Sequence, residues 1–505
     1  MFIKMQVDCA AYLMKTRRSW LELTFKYLYL SSLKVCTNIE LFTMAESVIW
    51  LVGLFFLLGG NVVQGSQGND KNPKPSSTGQ PCRTAYHFQP PKNWRNDPNG
   101  TLVEPFCLFL SLYFLDSSMD PYDFNGCWSG STTFLSKGKP VILYTGVDTK
   151  NRQAQSLALP KNLSDPFLRK WVKSPHNPLM TPIDGIDPQY FRDPTTAWKG
   201  PDGLWRILVG NQMDGHGTAL LYRSKDFVSW SRSEDPLHSS KKTDMWECPD
   251  FFPVATNSKD GVDTTSLDKS NKHVLKASFN HHDYYVLGKY TPNGDKFSVD
   301  IDFTNTSKDL RYDYGKFYAS KTFFDSGKKR RILLGWVNES DSESDDIKKG
   351  WSGLQSFPRS ILLSKDGRQL IQWPIQEIEK LHANKVSIRN KKLKGESFLP
   401  VSGLKTSQAD VEVSFDLPNL KKVEVMNLSW VDPQLLCSQK KPSVRGKAGP
   451  FGLLVLASKC LAEHTSIFFR IFRNHDKYVV LMCSDQSRSS LREGLDKQPT
   501  ELSLT

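Results

Sequence analysis

From residue 82 onward, short runs rich in β-branched and aromatic residues alternate with clusters of turn-forming residues. Residues 141–145, 205–209, 273–279, 284–287 and 331–337 are such runs. This punctuation predicts an all-β chain. Four-stranded propeller blades produce that spacing, because each blade is a meander of short strands. The spacing does not by itself count the blades. A propeller would also let distant residues meet, since the inner strands of separate blades face one central funnel.

Three short acidic stretches stand out against that background. Asn93-Trp94-Arg95-Asn96-Asp97-Pro98-Asn99-Gly100 places Asp97 in a turn that Pro98 pins by fixing its own φ and removing a donor. Phe191-Arg192-Asp193-Pro194 repeats the Asp-Pro device with a cation in front. Met245-Trp246-Glu247-Cys248-Pro249-Asp250 sets a different carboxylate beside a Trp. Taken singly, each has a plain structural explanation: an Asx-turn, a structural turn, a rim charge. Yet a rigid carboxylate beside an aromatic platform such as Trp94 is also what a sugar site needs.

In order and together, the three stretches resemble the signature motifs of glycoside hydrolase family 32, the plant β-fructofuranosidases. The similarity runs from about residue 82 to about residue 491. The Trp-Glu-Cys-Pro-Asp form resembles the cell-wall branch, because vacuolar relatives usually carry Val where Pro249 stands. The resemblance implies a five-bladed β-propeller over residues 82–380, followed by a β-sandwich over 386–505. It also implies retaining hydrolysis of terminal, non-reducing β-D-fructofuranosides. Such a reaction asks for two carboxyl groups in different protonation states, set roughly 5 Å apart. By resemblance Asp97 is the nucleophile, Glu247 the acid/base and Asp193 the stabiliser of the transition state. Arg192 would orient Asp193, and Trp246 would help keep Glu247 protonated. Asn96, Trp94, Trp128, Ser129, Asp313 and Trp336 would line the sugar pocket, although a Trp in a blade also serves as core. No metal and no organic cofactor is required. Cys437 and Cys483 resemble the sandwich disulfide of the family.

The substrate is expected to be a fructan such as levan or inulin, with sucrose, the invertase substrate, as the alternative. Relatives that use sucrose well tend to carry Asp-Asp-Thr-Lys just before a His-Asp-Tyr-Tyr run, and its first Asp and Lys help hold the glucose unit. Here the chain reads Ser278-Phe279-Asn280-His281-His282-Asp283-Tyr284-Tyr285, shorter and with neither group. Losing that clamp should weaken the glucosyl subsite by about 1–3 kcal/mol.

The chain also departs from the family. Relatives continue after Asp-Pro-Asn-Gly with a long segment that completes the first blade and supplies a Gln and a Trp to the sugar. Here residues 101–116 read TLVEPFCLFLSLYFLD, so two or three strands of that blade are expected to be missing. Residues 108–115 are apolar enough for one buried strand. The sandwich also stops early, and its sheets are expected to lack strands. A non-catalytic sugar-binding relative is the rival reading that these departures favour.

With 505 residues the chain has room for two or three domains. Residues 48–58 form an uncharged apolar run of signal-peptide shape, which places a signal over 44–68, an extension outside the mature protein at 1–43 and a polar linker at 69–81. Secretion to the cell wall follows. Sequons at Asn162, Asn305, Asn338 and Asn427 are expected glycan sites, whereas a glycan at Asn99 would block the funnel. The net charge of +13 comes without a zinc finger or a long basic run, so nucleic acid is not an expected partner. An acidic wall polysaccharide or simple solvation would account for it. A monomer is expected. Nine Cys leave at least one unpaired, and Cys248 is expected to be a free, packed thiol.

Overall fold

The computed structural model describes residues 2–8, 23–26 and 83–504, apart from 85, 99–100, 105–106, 111–119, 184, 242, 305–308, 405–407, 418–419, 428, 431 and 498–499. The apolar run at 48–58, the linker, Asn99 and Asn305 lie outside the described residues.

Four antiparallel sheets follow one another along the chain. The first contains Gly126–Phe134, Pro140–Val147, Gln153–Pro160 and Trp171–Lys173. The second is built on Phe191–Arg192, Trp205–Met213, His216–Ser224 and Trp230–Arg232. The third holds Glu247–Val254, Lys272–Phe279, His282–Thr291 and Lys296–Val299. The fourth holds Phe317–Asp325, Arg330–Val337, Arg359–Leu363 and Leu370–Pro374. Their alternating side chains explain why the strands read as unbroken apolar runs. Ile207 enters the core between the first and second sheets, while its neighbour Leu208 enters the core between the second and third. Phe251 and Phe252, and Leu275 and Val274, are split in the same way between consecutive cores. Both faces of each blade are covered, so alternation with polar residues disappears.

Where a further blade belongs, there is a two-stranded hairpin, Thr101–Glu104 against Cys107–Leu110. Thr101–Glu104 lies beside Phe317–Asp325 on one side and Gly126–Phe134 on the other. The ring of inner strands therefore closes with five members, one of them much reduced. The strand expected at 108–115 is Cys107–Leu110, and 111–115 fall outside the described residues.

The segment before Asp97 is laid on the far end of the fourth sheet's chain. Asn93–Trp94 pairs in parallel with Trp351–Ser352. Asn93 N–H donates to Gly350 O at 2.9 Å and Arg95 N–H to Ser352 O at 3.0 Å. Gln355 Nε2 donates to Asn96 O. Gly353, at φ +87°, lets the two chains touch, because a Cβ there would stand 1.7 Å from Arg95 O.

After the 3-10 helix Gln376–Leu381 the chain runs exposed and irregular before the second β region. One sheet there contains Phe451–Val455, Thr465–Asn474, Lys477–Asp485 and Thr500–Leu504, with Glu424–Val425 at its edge. Ile467, Phe469 and Ile471 face Val411 and Val413 of the strand Asp410–Asp416, which pairs with Phe2–Asp8. On the opposite side Phe468 and Phe472 pack under the helix Pro433–Gln439, where Cys437 is joined to Cys483 by a disulfide. Among the described residues, no helix is long and apolar enough to cross a membrane.

Candidate active site

Three inner strands break register where they meet at the centre. Gly126–Phe134 does so between Trp128 and Gly130, Glu247–Val254 between Glu247 and Asp250, and Phe317–Asp325 between Tyr318 and Lys321. Such bulges re-aim side chains out of the regular alternation. Cys248 and Ala319, inside two of them, have φ of +45° and +53°, and Asp193 has +65°. Left-handed backbone at non-glycine residues is strained, and it clusters where the surroundings enforce it.

The bulges bring the three sequence motifs together. Ser129 Oγ donates to Asp97 Oδ2, and Cys248 Sγ lies 3.4 Å from the same oxygen. Cys248 N–H donates to Asp193 Oδ2 at 2.8 Å, while Asp193 N–H donates to Thr145 Oγ1 at 2.9 Å. Cys248 thus touches Asp97 with its thiol and Asp193 with its backbone, one residue away from Glu247. It is buried and unpaired in any disulfide. Glu247 is held at both oxygens: Arg192 donates to Oε1 at 2.5 Å and Tyr318 to Oε2.

Burial first, then the charge of Asp193, pushes the Asp97 carboxyl up to about 7, and Glu247 adds to the effect. Hydrogen bonds from Ser129 and Cys248 oppose that rise. The two other carboxylates therefore both act on Asp97. The Cys248 thiol is held well above its usual range by burial and by the two aspartates.

Two expectations change. Arg192 approaches Asp193 only to 3.9 Å, and its short contact is with Glu247. The left-handed turn at Asp193 parts the two neighbours, so adjacency in sequence is a poor guide here. Trp246 does not press on Glu247 either. Its indole is fully buried, with Nε1 donating to Thr243 at 2.9 Å and its ring edge-on to Phe303.

Among the other expected pocket residues, Trp94 is 60% exposed and meets Trp336 edge-on at 5.8 Å. Trp336 Nε1 is buried without a hydrogen-bond partner. Trp128 is exposed beside Ser129. Asn96 offers its carbonyl to Gln355. Asp313 is paired with Arg359 at 2.7 Å and accepts from Gly315 N–H at 2.8 Å, so its carboxylate is already engaged. Asn162, Asn338 and Asn427 are exposed. Sequence reasoning missed Tyr318, Thr145 and two buried lysines, Lys276 and Lys321. Of the acidic clusters among the described residues, Glu339, Asp341 and Asp346 already surround Lys349 Nζ at 3.1, 2.7 and 2.9 Å. Glu379, His382 and Asp410 form the other, exposed where the 3-10 helix Gln376–Leu381 ends beside the start of the strand Asp410–Asp416.

A ring of blades that gathers a half-buried carboxylate, Asp97, and a second one fixed at both oxygens by donors, Glu247, has the paired acids of a glycoside hydrolase. The chain matches the N-terminal domain of glycosyl hydrolases family 32 over residues 114–374 and its C-terminal domain over 377–503, and it belongs to that family. The first match starts at residue 114, beyond Asp97 and at the end of the shortened stretch. An insoluble β-fructofuranosidase isoenzyme of Arabidopsis thaliana is 50% identical, over 92% of this chain and 86% of that protein. Fructan 6-exohydrolase of Beta vulgaris is 49% identical, over 83% of this chain and 75% of that protein. The crystal structure of fructan 1-exohydrolase IIa from Cichorium intybus superposes with a TM-score of 0.79 at 49% identity, covering 84% of this chain and 85% of that one.

Proposed function

We propose that the protein removes terminal fructose from fructans with retention of configuration. Asp97 attacks the anomeric carbon and forms a fructosyl ester, while Glu247 gives its proton to the departing oxygen. Glu247 then takes a proton from the water that hydrolyses the ester. Asp193 accepts from fructosyl hydroxyls and favours the positive charge that develops on the ring. That charge also draws Asp97 toward its ionised form, against the burial that holds its proton. Arg192 and Tyr318 fix the direction from which Glu247 acts. Trp94, Trp128 and Trp336 offer apolar faces at the rim.

The observation that carries the fructan preference is the hairpin tip after Phe279. Lys272–Phe279 and His282–Thr291 are joined by two residues, Asn280 and His281, at φ +48° and +62°. Asp283 is fully buried, accepting from Ser278 Oγ at 2.6 Å and Ser320 N–H at 2.8 Å. It is unavailable to a glucose unit, and the tip itself carries neither a carboxylate nor an ammonium. Sucrose remains the second reading, supported by the 50% identity to the Arabidopsis β-fructofuranosidase. We place the protein outside the cell, at the wall, where cell-wall isozymes among its relatives are named. There the exposed Arg389, Lys391, Lys392 and Lys394 would meet acidic polysaccharide. The other basic cluster is engaged internally, since Lys328 and Arg330 both pair with Glu377.

The test is release of fructose from levan, inulin and sucrose by the purified protein. Faster release from a fructan supports the proposal. A clear preference for sucrose makes it an invertase, and no release from any of the three removes the catalytic reading.

A further inference from the structure

Two lysines lie in the wall behind the carboxylates, and they are not equivalent. Lys276 is fully buried and has a counter-ion, Asp283, at 3.3 Å. Its Nζ also donates to Cys248 O at 3.1 Å and to Ser320 O at 2.7 Å. Lys321 is 3% exposed. Its Nζ donates to Pro249 O at 2.8 Å and Asp193 O at 3.4 Å, both of them backbone carbonyls. Among the described residues no carboxylate stands within ion-pair distance of it. An ammonium buried without a counter-ion is costly, and a protein that keeps one draws on a compensating field. The field is at hand. The thiol of Cys248 feels Asp193 and Asp97 with one sign and Lys321 and Lys276 with the other, so these groups share one neighbourhood.

The placement is specific. Lys321 closes the bulge of its own strand, and it grips the peptide at the left-handed turn of Asp193 and the bulge that follows Glu247. It therefore ties two of the three motifs to one point. We propose that Lys321 is a positioning residue for the hydrolytic site, holding the Asp193 turn against the Glu247–Asp250 bulge and placing a positive charge behind the clustered carboxylates. This rests on the hydrolase reading given above.

Lys321→Gln and Lys321→Met separate charge from bracing. Gln keeps hydrogen-bond donors for the two carbonyls but removes the charge, and Met removes both. If the charge matters, both variants lose kcat on the order of 10²-fold, with KM nearly unchanged. The acid limb of their kcat/KM profile also moves to higher pH, because a carboxylate that loses a neighbouring cation ionises less readily. The proposal is overturned if the folded Gln variant keeps the parent's kcat and acid limb. It is equally overturned if the Gln variant fails to fold by circular dichroism, which would make Lys321 a brace for the fold. If the parent itself releases no fructose, the hydrolase reading fails and this proposal with it. That outcome is distinct from an active parent beside an unaffected variant.

Discussion

Glu247 and Asp97 arrive at one pocket from very different supports. Glu247 begins the inner strand of a complete four-stranded sheet, and donors from two other sheets, Arg192 and Tyr318, fix both its oxygens. Asp97 follows a strand of two residues and precedes a hairpin where a whole blade would stand. It owes its place to borrowed contacts: Ser352 and Gln355 hold the chain before it, and Ser129 and Cys248 hold its carboxyl. A carboxylate next to a shortened blade can thus be held in place by its neighbours. The reduced blade contributes position through closure of the ring, whereas the sheet that holds Glu247 contributes it through its own strands.

Removing the best-supported group tests this contrast most severely. Glu247→Gln keeps a carbonyl for Arg192 and turns an amide donor toward the Tyr318 hydroxyl, but it cannot donate or accept the proton, and turnover should fall about 10³- to 10⁴-fold. Isothermal titration with a fructan oligomer should still show binding, and lost binding together with lost turnover would make Glu247 a contact for the sugar instead.

The next largest effect belongs to Asp97. Its folded carboxyl keeps its proton to about pH 7 against 3.8 unfolded, so the folded chain binds more protons within that window. The stability this contributes is complete below pH 3.8 and is lost as pH rises through 7. The window bounds the effect at about 4 kcal/mol, and the partial exposure of Asp97 brings it below that. Asp97→Asn should flatten this slope in denaturant titrations at successive pH values. An unchanged slope would place the titrating group elsewhere.

Smaller, and more pointed, is a comparison of two glycines. Gly350→Ala enters open space at φ +77° and should cost about 1 kcal/mol. Gly353→Ala drives a methyl into Arg95 O and should cost about 3 kcal/mol, with loss of fructose release. Thermal unfolding and activity assays on both would check the rail. Equal effects would mean that Asp97 is held from its own blade after all.

Much of this was legible in the sequence, for reasons that differ by level. The strands could be read because β-branched and aromatic runs were cut by turn residues. The number of blades could not, because each strand feeds two cores and Ile207 looks no different from Leu208. The three motifs announced their carboxylates, and the family resemblance announced their company. The partner of Arg192 was hidden by a backbone turn that no local signal encodes. Tyr318 was within reach: it sits five places beyond Asp313, and strand alternation sets it opposite buried Phe317. Lys276 and Lys321 also left a mark, each a charge in the middle of a largely apolar strand.

The hydrogen bond from Gln355 to Asn96 joins residues 259 positions apart. Translation runs in one direction, so a nascent chain carries Asp97 long before it has the peptide on which that carboxylate will rest. Closing so wide a loop comes late among folding events. The growing chain consequently lacks this support for Asp97 until its fourth sheet has been made.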